Sequence, residues 1–365
     1  MVRRDTSFSG GNRNETAGQM GQSPASSFSI AEFCVRLQTN LETMKAIRIH
    51  SPGGADVLQY EEAPIPEIAS DELLIRVRAA GVNFIDVYQR TGLYKVTLPF
   101  IPGMEGAGFI EKAGARTTFK PGDRVAWVQH PGAFAEYVAV PAAKVVAVPA
   151  GIDDRSAAAT LLQGITAQYL CESTCPIKPG ETALVHAGAG GVGLLLIQLL
   201  KKKGATVYTT VSSEEKAALA RRAGADEAIL YNQIDFLEAI RKYTGGKGVR
   251  VVYDSVGKTT WEGSLNVLQP LGMLVLFGQS SGPVPPIDPL TLTQKGSLFL
   301  TRPSLAHYLA DEDSLKERAG KVLNWVADKT LKLRIEHVYP LHQIQQAYRD
   351  LEGRKTTGKL IIEVN

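Results

Sequence analysis

The sequence predicts an α/β protein in which a β-rich part precedes a part of alternating strands and helices. From Met44 to about residue 155, runs such as MKAIRIH and DELLIRVRAAGVN alternate apolar and polar residues with the period of a half-buried strand. Beyond residue 155, strand-like and helix-like runs alternate, which indicates βαβ units on a parallel sheet covered on both faces. A glycine-rich turn, AGAGGVG, joins one of these strands to its helix.

Length and composition limit the classes of protein to which the chain can belong. Its 365 residues suffice for two domains of ordinary size, and 44% hydrophobic with 21% charged residues is usual for a globular protein. The net charge is only +3 and the basic residues are scattered, which argues against nucleic acid or an anionic membrane as a partner. No apolar run reaches the ~18 residues of a membrane span.

The cysteines favour a reducing compartment. Cys34, Cys171 and Cys175 lack the paired spacing of a structural zinc site, and no histidine cluster stands near them in sequence. We interpret them as free thiols and therefore expect a cytoplasmic protein.

The first 43 residues differ from the rest of the chain. They begin with a polar, Gly/Ser-rich stretch that we expect to be loose, and a short helix can follow behind Ser29. Their arginines are typical of an organellar transit peptide, but their acidic residues argue against one. We interpret residues 1–43 as an appended tail, or as the product of an upstream start codon with Met44 opening the core.

The remaining elements follow in order along the chain. GDRVAWV and GAFAEYVAV continue the β-rich part, and the alternating part runs from TALVHA to GMLVLFG. LKERAGKVLNWVADKTL and QIQQAYRDLEGR then have the periodicity of helices, and KLIIEVN that of a last strand. We expect the end of the chain to pack back on the β-rich half, so that a discontinuous domain surrounds an inserted nucleotide domain.

The glycine-rich turn predicts a dinucleotide site. Gly188, Gly190 and Gly193 fit G-x-G-x-x-G between a strand and an apolar helix, and a second strand completes the unit. Glycines let the backbone approach a pyrophosphate, whose charge meets the free N–H groups at the start of the helix. The alternative is a tight turn without a ligand.

The end of the second strand favours NADPH over NADH. NAD-binding proteins place an acid there, about 20 residues on, to accept from the ribose 2′-hydroxyl. This chain has Ser212 and Ser213 with Lys216 just after, and an ammonium suits a 2′-phosphate that an acid would repel. Glu214 and Glu215 fall one step later, in what we interpret as the first turn of a helix. The alternative for Lys216 is a solvated surface lysine.

Eight motifs occur together in order: GVNFIDVYQRTGLY, LPFIPGMEGAGFI, FKPGDRVAW, LLQGITAQYL, VHAGAGGVG, VYDSVG, LFGQSSG and KGSLFLTRPS. With them, residues 44–365 resemble the zinc-free NADPH:quinone oxidoreductases, the zeta-crystallin-like branch of the medium-chain dehydrogenase/reductase superfamily. The resemblance implies a GroES-like β-barrel catalytic domain, a Rossmann domain, a site in the cleft between them, and a homodimer. We expect residues 44–163 and 303–365 to form the GroES-like domain and residues 164–302 to form the Rossmann domain.

The resemblance also indicates a site without metal. Asn83 stands where the zinc alcohol dehydrogenases have a ligating cysteine, and Met104 stands where they have the histidine of Gly-His-Glu. An amide and a thioether beside the one remaining acid, Glu105, do not make a zinc site. The lobe that carries the structural cysteines of those enzymes is missing as well.

Asn83, Tyr88 and Tyr94 are the candidate catalytic residues, which the resemblance puts on the cleft wall. Asn83 offers amide donors near the nicotinamide ribose or the acceptor oxygen, and the tyrosines offer flat faces and phenol donors. The alternative is that both tyrosines are packing residues. The cofactor contacts that the resemblance implies are Asn83, Thr166, Gly190, Gly191, Val192, Gly193, Ser212, Lys216, Tyr231, Phe277, Ser280 and Arg354. Gln163 stands where some members have lysine, so no role for that lysine transfers.

The expected function is NADPH-dependent reduction of quinones by hydride or electron transfer, because without zinc the easier substrates are electron-poor acceptors. An NADPH-dependent alkenal or enone double-bond reductase is the alternative on the same scaffold. A non-catalytic NADPH-binding sensor or structural protein is a further alternative.

Overall fold

A computed structural model describes residues 42–364 of the chain. The expected loose stretch and short helix of the N-terminal tail lie outside the described residues. The first strand begins at Thr43, next to the Met44 at which the sequence predicts that the core opens. None of the helices in residues 42–364 combines the length and apolar character that a membrane crossing requires.

The described part alternates strands and helices in the predicted order. Its strands are β1 (Thr43–Arg48), β2 (Gln59–Pro64), β3 (Glu72–Val82), β4 (Glu105–Ala113), β5 (Arg124–Val128), β6 (Tyr137–Pro141), β7 (Val145–Ala147), β8 (Thr182–Val185), β9 (Thr206–Val211), β10 (Glu227–Leu230), β11 (Val249–Asp254), β12 (Leu268–Leu276), β13 (Phe299–Thr301), β14 (Ile335–Pro340) and β15 (Lys359–Glu363). Its α-helices are α1 (Phe84–Arg90), α2 (Asp154–Tyr169), α3 (Gly191–Lys202), α4 (Glu214–Arg222), α5 (Phe236–Tyr243), α6 (Trp261–Asn266), α7 (Leu290–Gln294), α8 (Leu305–Tyr308), α9 (Glu312–Ala327) and α10 (Ile344–Glu352).

A six-stranded parallel sheet forms the part of alternating strands and helices. Its strand order is β10-β9-β8-β11-β12-β13, which is the 3-2-1-4-5-6 order of the Rossmann fold. Its central strands are buried along their apolar runs because helices cover both faces, as the alternation in the sequence predicts. The order reverses between β8 and β11, and in such sheets ligands bind beyond the carboxyl ends of the strands at that point.

A seven-stranded sheet forms the β-rich part. Its order is β14-β15-β3-β4-β5-β7, with β6 paired to β3. Alternate residues of its strands enclose a core that contains Trp127, Phe134 and Tyr348, all fully buried. β15 pairs with β3, so the last strand of the chain returns to the sheet that the first part began.

α2 lies between the two sheets and contacts β3, β4 and β15 as well as α3 and α9. Asp153 caps it, since its side chain accepts a 2.7 Å hydrogen bond from the amide of Ser156. Small residues such as Ala157 and Ala158 allow the close approach on both sides. The predicted domain boundary at 163/164 falls inside this helix, and both boundaries stay predictions.

Candidate active site

The glycine loop, residues 187–193, follows β8 and opens α3. A Cβ atom on Gly193 would strike the carbonyl oxygen of Ala187 and lie 2.9 Å from the Cα of Gly188. Gly190 occupies the N-cap of α3. Because glycine has no side chain, the N-cap residue accepts no hydrogen bond from the first amides of the helix through a side chain. The loop therefore leaves the amides of Gly191, Val192 and Gly193 without a partner in the described chain, as the binding of a pyrophosphate at a helix start requires, while the amide of Gly190 donates to Ala187.

Gln163 of α2 lies against this loop. A Cβ atom on Gly191 would strike the side-chain amide of Gln163, which is half-buried. The sequence assigned no role to Gln163, but its amide stands next to the predicted pyrophosphate position.

The predicted 2′-phosphate residues gather at the ends of β9 and β10. Ser213 caps α4 by accepting from the amide of Lys216 at 3.3 Å, and the ammonium of Lys216 donates to the carbonyl oxygen of Arg354 at 2.6 Å. Ser212 directly follows β9. Tyr231, which is 43% exposed, directly follows β10, and its amide donates a hydrogen bond to the carbonyl oxygen of Val211 at the end of β9. Lys216 thus lies beside the backbone of Arg354, 138 residues further along the chain, and contact of both side chains with one phosphate stays a prediction.

The glutamates that follow Ser213 are exposed in the first turn of α4. Glu214 and Glu215 offset the helix dipole there, as predicted.

Tyr88 and Tyr94, the aromatic pair, stand at the other side of the site. Their rings meet edge to face with centroids 5.4 Å apart, and Tyr88 is buried while Tyr94 is 39% exposed. The hydroxyl of Tyr88 accepts a 3.0 Å hydrogen bond from the amide of Gln279 in the loop after β12. This bond joins α1 of the β-rich part to the Rossmann part.

Arg302 extends the aromatic pair. Its guanidinium lies 3.5 Å from the hydroxyl of Tyr94. Burial raises the pKa of Tyr88, while the amide of Gln279 and the charge of Arg302 lower that pKa in part. Tyr88 is therefore a neutral phenol at physiological pH, suited to orient a ligand by hydrogen bonding.

The other predicted nicotinamide contacts lie on two further elements. Phe277 and Ser280 are on the loop after β12. The backbone amide of Phe277 donates a hydrogen bond to the carbonyl oxygen of Asp254, and that of Ser280 donates to the carbonyl oxygen of Ser255. Thr166 is on α2 and is only 7% exposed.

The side chain of Asn83 is enclosed by charged partners. Its amide nitrogen donates to Glu105 at 2.8 Å and to the carbonyl oxygen of Gly81 at 3.2 Å, and its oxygen accepts from the ammonium of Lys359 at 2.8 Å. Both amide protons are thus engaged within the chain. A contact from Asn83 to a ligand stays a prediction, and donation to one would need an exchange of partners.

Lys359 and Glu105 form an ion pair in which the side chains are 2% and 1% exposed. We call Asn83, Glu105 and Lys359 the buried cluster. Asn83 and Glu105 are two of the residues that the resemblance aligns with the ligands of the zinc alcohol dehydrogenases, and the third, Met104, accepts a hydrogen bond from Gln89. An ammonium in contact with the one carboxylate does not fit a zinc ion. Among residues 42–364, no three or more His, Cys, Asp and Glu side chains form a group able to hold a metal.

Sequence reasoning missed Lys359, Arg302 and Gln279. A lysine at the start of the apolar run KLIIEV was the available signal for Lys359, because a charged residue opening a buried strand needs a partner. Arg302 and the backbone of Gln279 gave no local signal.

Comparisons with known proteins agree with this geometry. Residues 69–150 match the family model of the alcohol dehydrogenase GroES-like domain, and residues 191–310 match that of the zinc-binding dehydrogenases. The quinone oxidoreductase of Pseudomonas aeruginosa is 42% identical over 321 residues, which are 87% of this chain and 99% of that protein. A 2-haloacrylate reductase from a Burkholderia species is 38% identical over 323 residues, which are 86% of this chain and 97% of that protein.

A solved structure adds the three-dimensional likeness. The crystal structure of Escherichia coli quinone oxidoreductase complexed with NADPH has a TM-score of 0.85 and 41% identity to this chain. The match covers 88% of this chain and 100% of that one. The expected combination of a GroES-like domain with a Rossmann domain is confirmed.

Proposed function

This chain belongs to the quinone oxidoreductase family of the medium-chain dehydrogenase/reductase superfamily, and from that premise we propose that it reduces quinones with NADPH and without zinc. The observation that carries the proposal is the hydrogen bond from the amide of Gln279 to the hydroxyl of Tyr88. Through this bond the aromatic pair lies beside the loop that follows β12, at the carboxyl ends of the strands, and dinucleotides bind at that end of such sheets.

Residues at two places in the Rossmann part support the binding of NADPH. The amides of Gly191, Val192 and Gly193 suit the pyrophosphate, and Lys216 with Arg354 suits the 2′-phosphate. NADPH supplies the hydride or electrons of the reaction when it is bound. The glycine loop and Lys216 bind NADPH and hold it in one orientation. Holding two reactants in a fixed relative orientation makes their reaction effectively unimolecular and so faster.

The aromatic pair and Arg302 would act on the acceptor. The ring faces of Tyr88 and Tyr94 orient a flat quinone, and a phenol hydroxyl donates to the oxygen that gains negative charge. The guanidinium of Arg302, 3.5 Å from the hydroxyl of Tyr94, stabilises the same charge. Water can supply the proton.

The absence of zinc from the reaction is part of the proposal. The buried cluster supplies the argument, because the ammonium of Lys359 already neutralises Glu105. We expect less than stoichiometric metal in the purified protein by elemental analysis, with the activity unchanged by a chelator. Stoichiometric zinc would contradict this.

Reduction of an activated carbon–carbon double bond is the second candidate. The likeness to a 2-haloacrylate reductase favours it, since the same donors would stabilise the oxyanion of a reduced enone or acrylate. Steady-state NADPH oxidation against a panel of quinones and alkenals tests both candidates. We expect quinones to give the highest kcat/KM. Faster turnover of alkenals would favour the second candidate, and no turnover with any acceptor would favour a non-catalytic NADPH-binding protein.

We further propose a homodimer in the cytoplasm. Leu271, Leu290 and Phe299 are each more than half exposed at or near β13, the edge strand of the six-stranded sheet. Exposed apolar residues beside an open strand edge are typical of an interface. We expect light scattering to give the mass of a dimer, and Phe299→Asp to give a monomer.

The cysteines support the proposed location in the cytoplasm. Cys171 and Cys175 are free, in keeping with a reducing compartment.

A further inference from the structure

We propose that Lys359 is a positioning residue for this reaction. Its ammonium, paired with Glu105, holds Asn83 and so fixes how the start of α1 lies relative to the glycine loop. The inference rests on the proposed function, because it concerns the geometry in which nicotinamide and acceptor meet.

The first step of the argument is the orientation of Asn83. An ammonium can only donate, so the atom of Asn83 that faces Lys359 at 2.8 Å must be the oxygen. The amide nitrogen must then face Glu105, which accepts from it at 2.8 Å. The backbone amide of Asn83 also bonds to Asp86, closing the capping box of α1. The helix that carries Tyr88 therefore starts from a residue with one allowed orientation.

The second step is the connection to the cofactor side. The other oxygen of Glu105 accepts from the amide of Leu162 at 2.8 Å, and Leu162 directly precedes the Gln163 that lies against Gly191. Lys359 directly follows Gly358, whose amide donates to the carbonyl oxygen of Ala189 in the glycine loop at 2.9 Å. The ion pair thus joins α1, α2 and the glycine loop.

The third step is the lack of free space. A Cβ atom on Gly81 would strike Glu105 and lie 2.6 Å from the Cε atom of Lys359. The pair cannot shift toward the sheet, so its geometry is set by β3. Replacing a buried ion pair by apolar residues is often neutral for stability. We therefore attribute the presence of this pair to the position that it gives Asn83. A misplacement of about 1 Å between reacting groups costs about 100-fold in rate.

The test compares Lys359→Met and the double variant Lys359→Met/Glu105→Gln with the wild type. The single variant leaves a buried carboxylate without its cation, whereas the double variant removes both charges and carries the test should the single variant not fold. Arg124→Met is the matched control, because it breaks an ion pair between β5 and Asp154 of the same α2 without touching Asn83. The measurements are the melting temperature, kcat, the Kd for NADPH, and the primary isotope effect with NADPH deuterated at the transferred position.

We expect both Lys359 variants to lose about 10- to 100-fold in kcat with a larger isotope effect, and to keep the Kd for NADPH within about threefold. The double variant recovers the melting temperature but not kcat. Recovery of kcat and isotope effect together with the melting temperature would overturn the inference, and so would kinetics equal to those of Arg124→Met.

A readout without an acceptor separates this inference from the proposed function. The fluorescence of bound NADPH reports the surroundings of the nicotinamide, and we expect its emission to differ between the double variant and the wild type. Identical emission would overturn the positioning role. A wild-type protein that turns over no quinone would overturn only the proposed function.

Discussion

At the scale of single residues, Lys216 carries the choice between NADPH and NADH. Its ammonium is held beside Arg354 at the end of β9, where a 2′-phosphate would lie. We expect Lys216→Ala to raise KM for NADPH about 10- to 100-fold, since a charge-assisted hydrogen bond contributes about 1.5–3 kcal/mol, and to leave KM for NADH nearly unchanged. Steady-state kinetics with both cofactors measure this, with the exposed Lys247→Ala as control. Equal effects on the two cofactors would remove the assignment.

Asp86, which closes the capping box of α1, makes the stability of the folded protein depend on pH. Burial raises the pKa of its carboxyl to about 7, and the amide of Asn83 and the charge of Lys359 offset only part of this rise. Between about pH 4 and 7 the unfolded state loses this proton while the folded state keeps it. Stability therefore falls as the pH rises through this window, by up to about 1.4 kcal/mol per pH unit.

Asp86→Asn should remove that fall. The variant keeps an acceptor for the amide of Asn83 but carries no charge, so we expect its gain in melting temperature over the wild type to grow from pH 5 to pH 8. Asp350→Asn is the control, because hydrogen bonds from Gln346 and Tyr339 lower the pKa of Asp350 and its effect should be constant over this range. A gain at Asp86 that does not change with pH would contradict the expectation.

At the scale of elements, the glycine loop contains two glycines whose added Cβ atoms would meet different kinds of neighbour. At Gly193 an added methyl group would meet backbone atoms, the carbonyl oxygen of Ala187 and the Cα of Gly188, which cannot move without unwinding the turn. At Gly191 it would meet only the end of the Gln163 side chain, which can rotate away. We expect Gly193→Ala to abolish NADPH binding and Gly191→Ala to weaken it about 10-fold, as measured by isothermal titration. Equal losses would show that the loop does not have the described conformation.

The same elements show how far sequence patterns reach. The helical and strand periods predicted the βαβ units on a parallel sheet, and the glycine spacing predicted the loop, because each depends on residues within about 30 positions. The contact of Tyr88 with Gln279 joins residues 191 apart, and that of Lys359 with Glu105 joins residues 254 apart. No local period encodes such a pairing, since it depends on how the sheets come together. Asn83 illustrates the result: the sequence pointed to the residue but not to the partners that occupy its amide.

At the scale of the whole molecule, the predicted site residues all lie between Asn83 and Arg354, well separated in sequence from residues 1–41. We expect a chain that starts at Glu42 to keep its melting temperature within a few degrees and its kcat/KM within about twofold. Differential scanning calorimetry and steady-state kinetics measure this against the full chain. A truncated protein that folds but is inactive would give residues 1–41 a part in the reaction.

The contact between Gly358 and Ala189 also has a consequence for biosynthesis. The glycine loop leaves the ribosome about 170 residues before the segment that docks on it, so a nascent chain can complete the Rossmann sheet while β3 still lacks its partner β15. We therefore expect the glycine loop to reach its final position only after the segment that contains Gly358 and β15 has been synthesised and has docked on it.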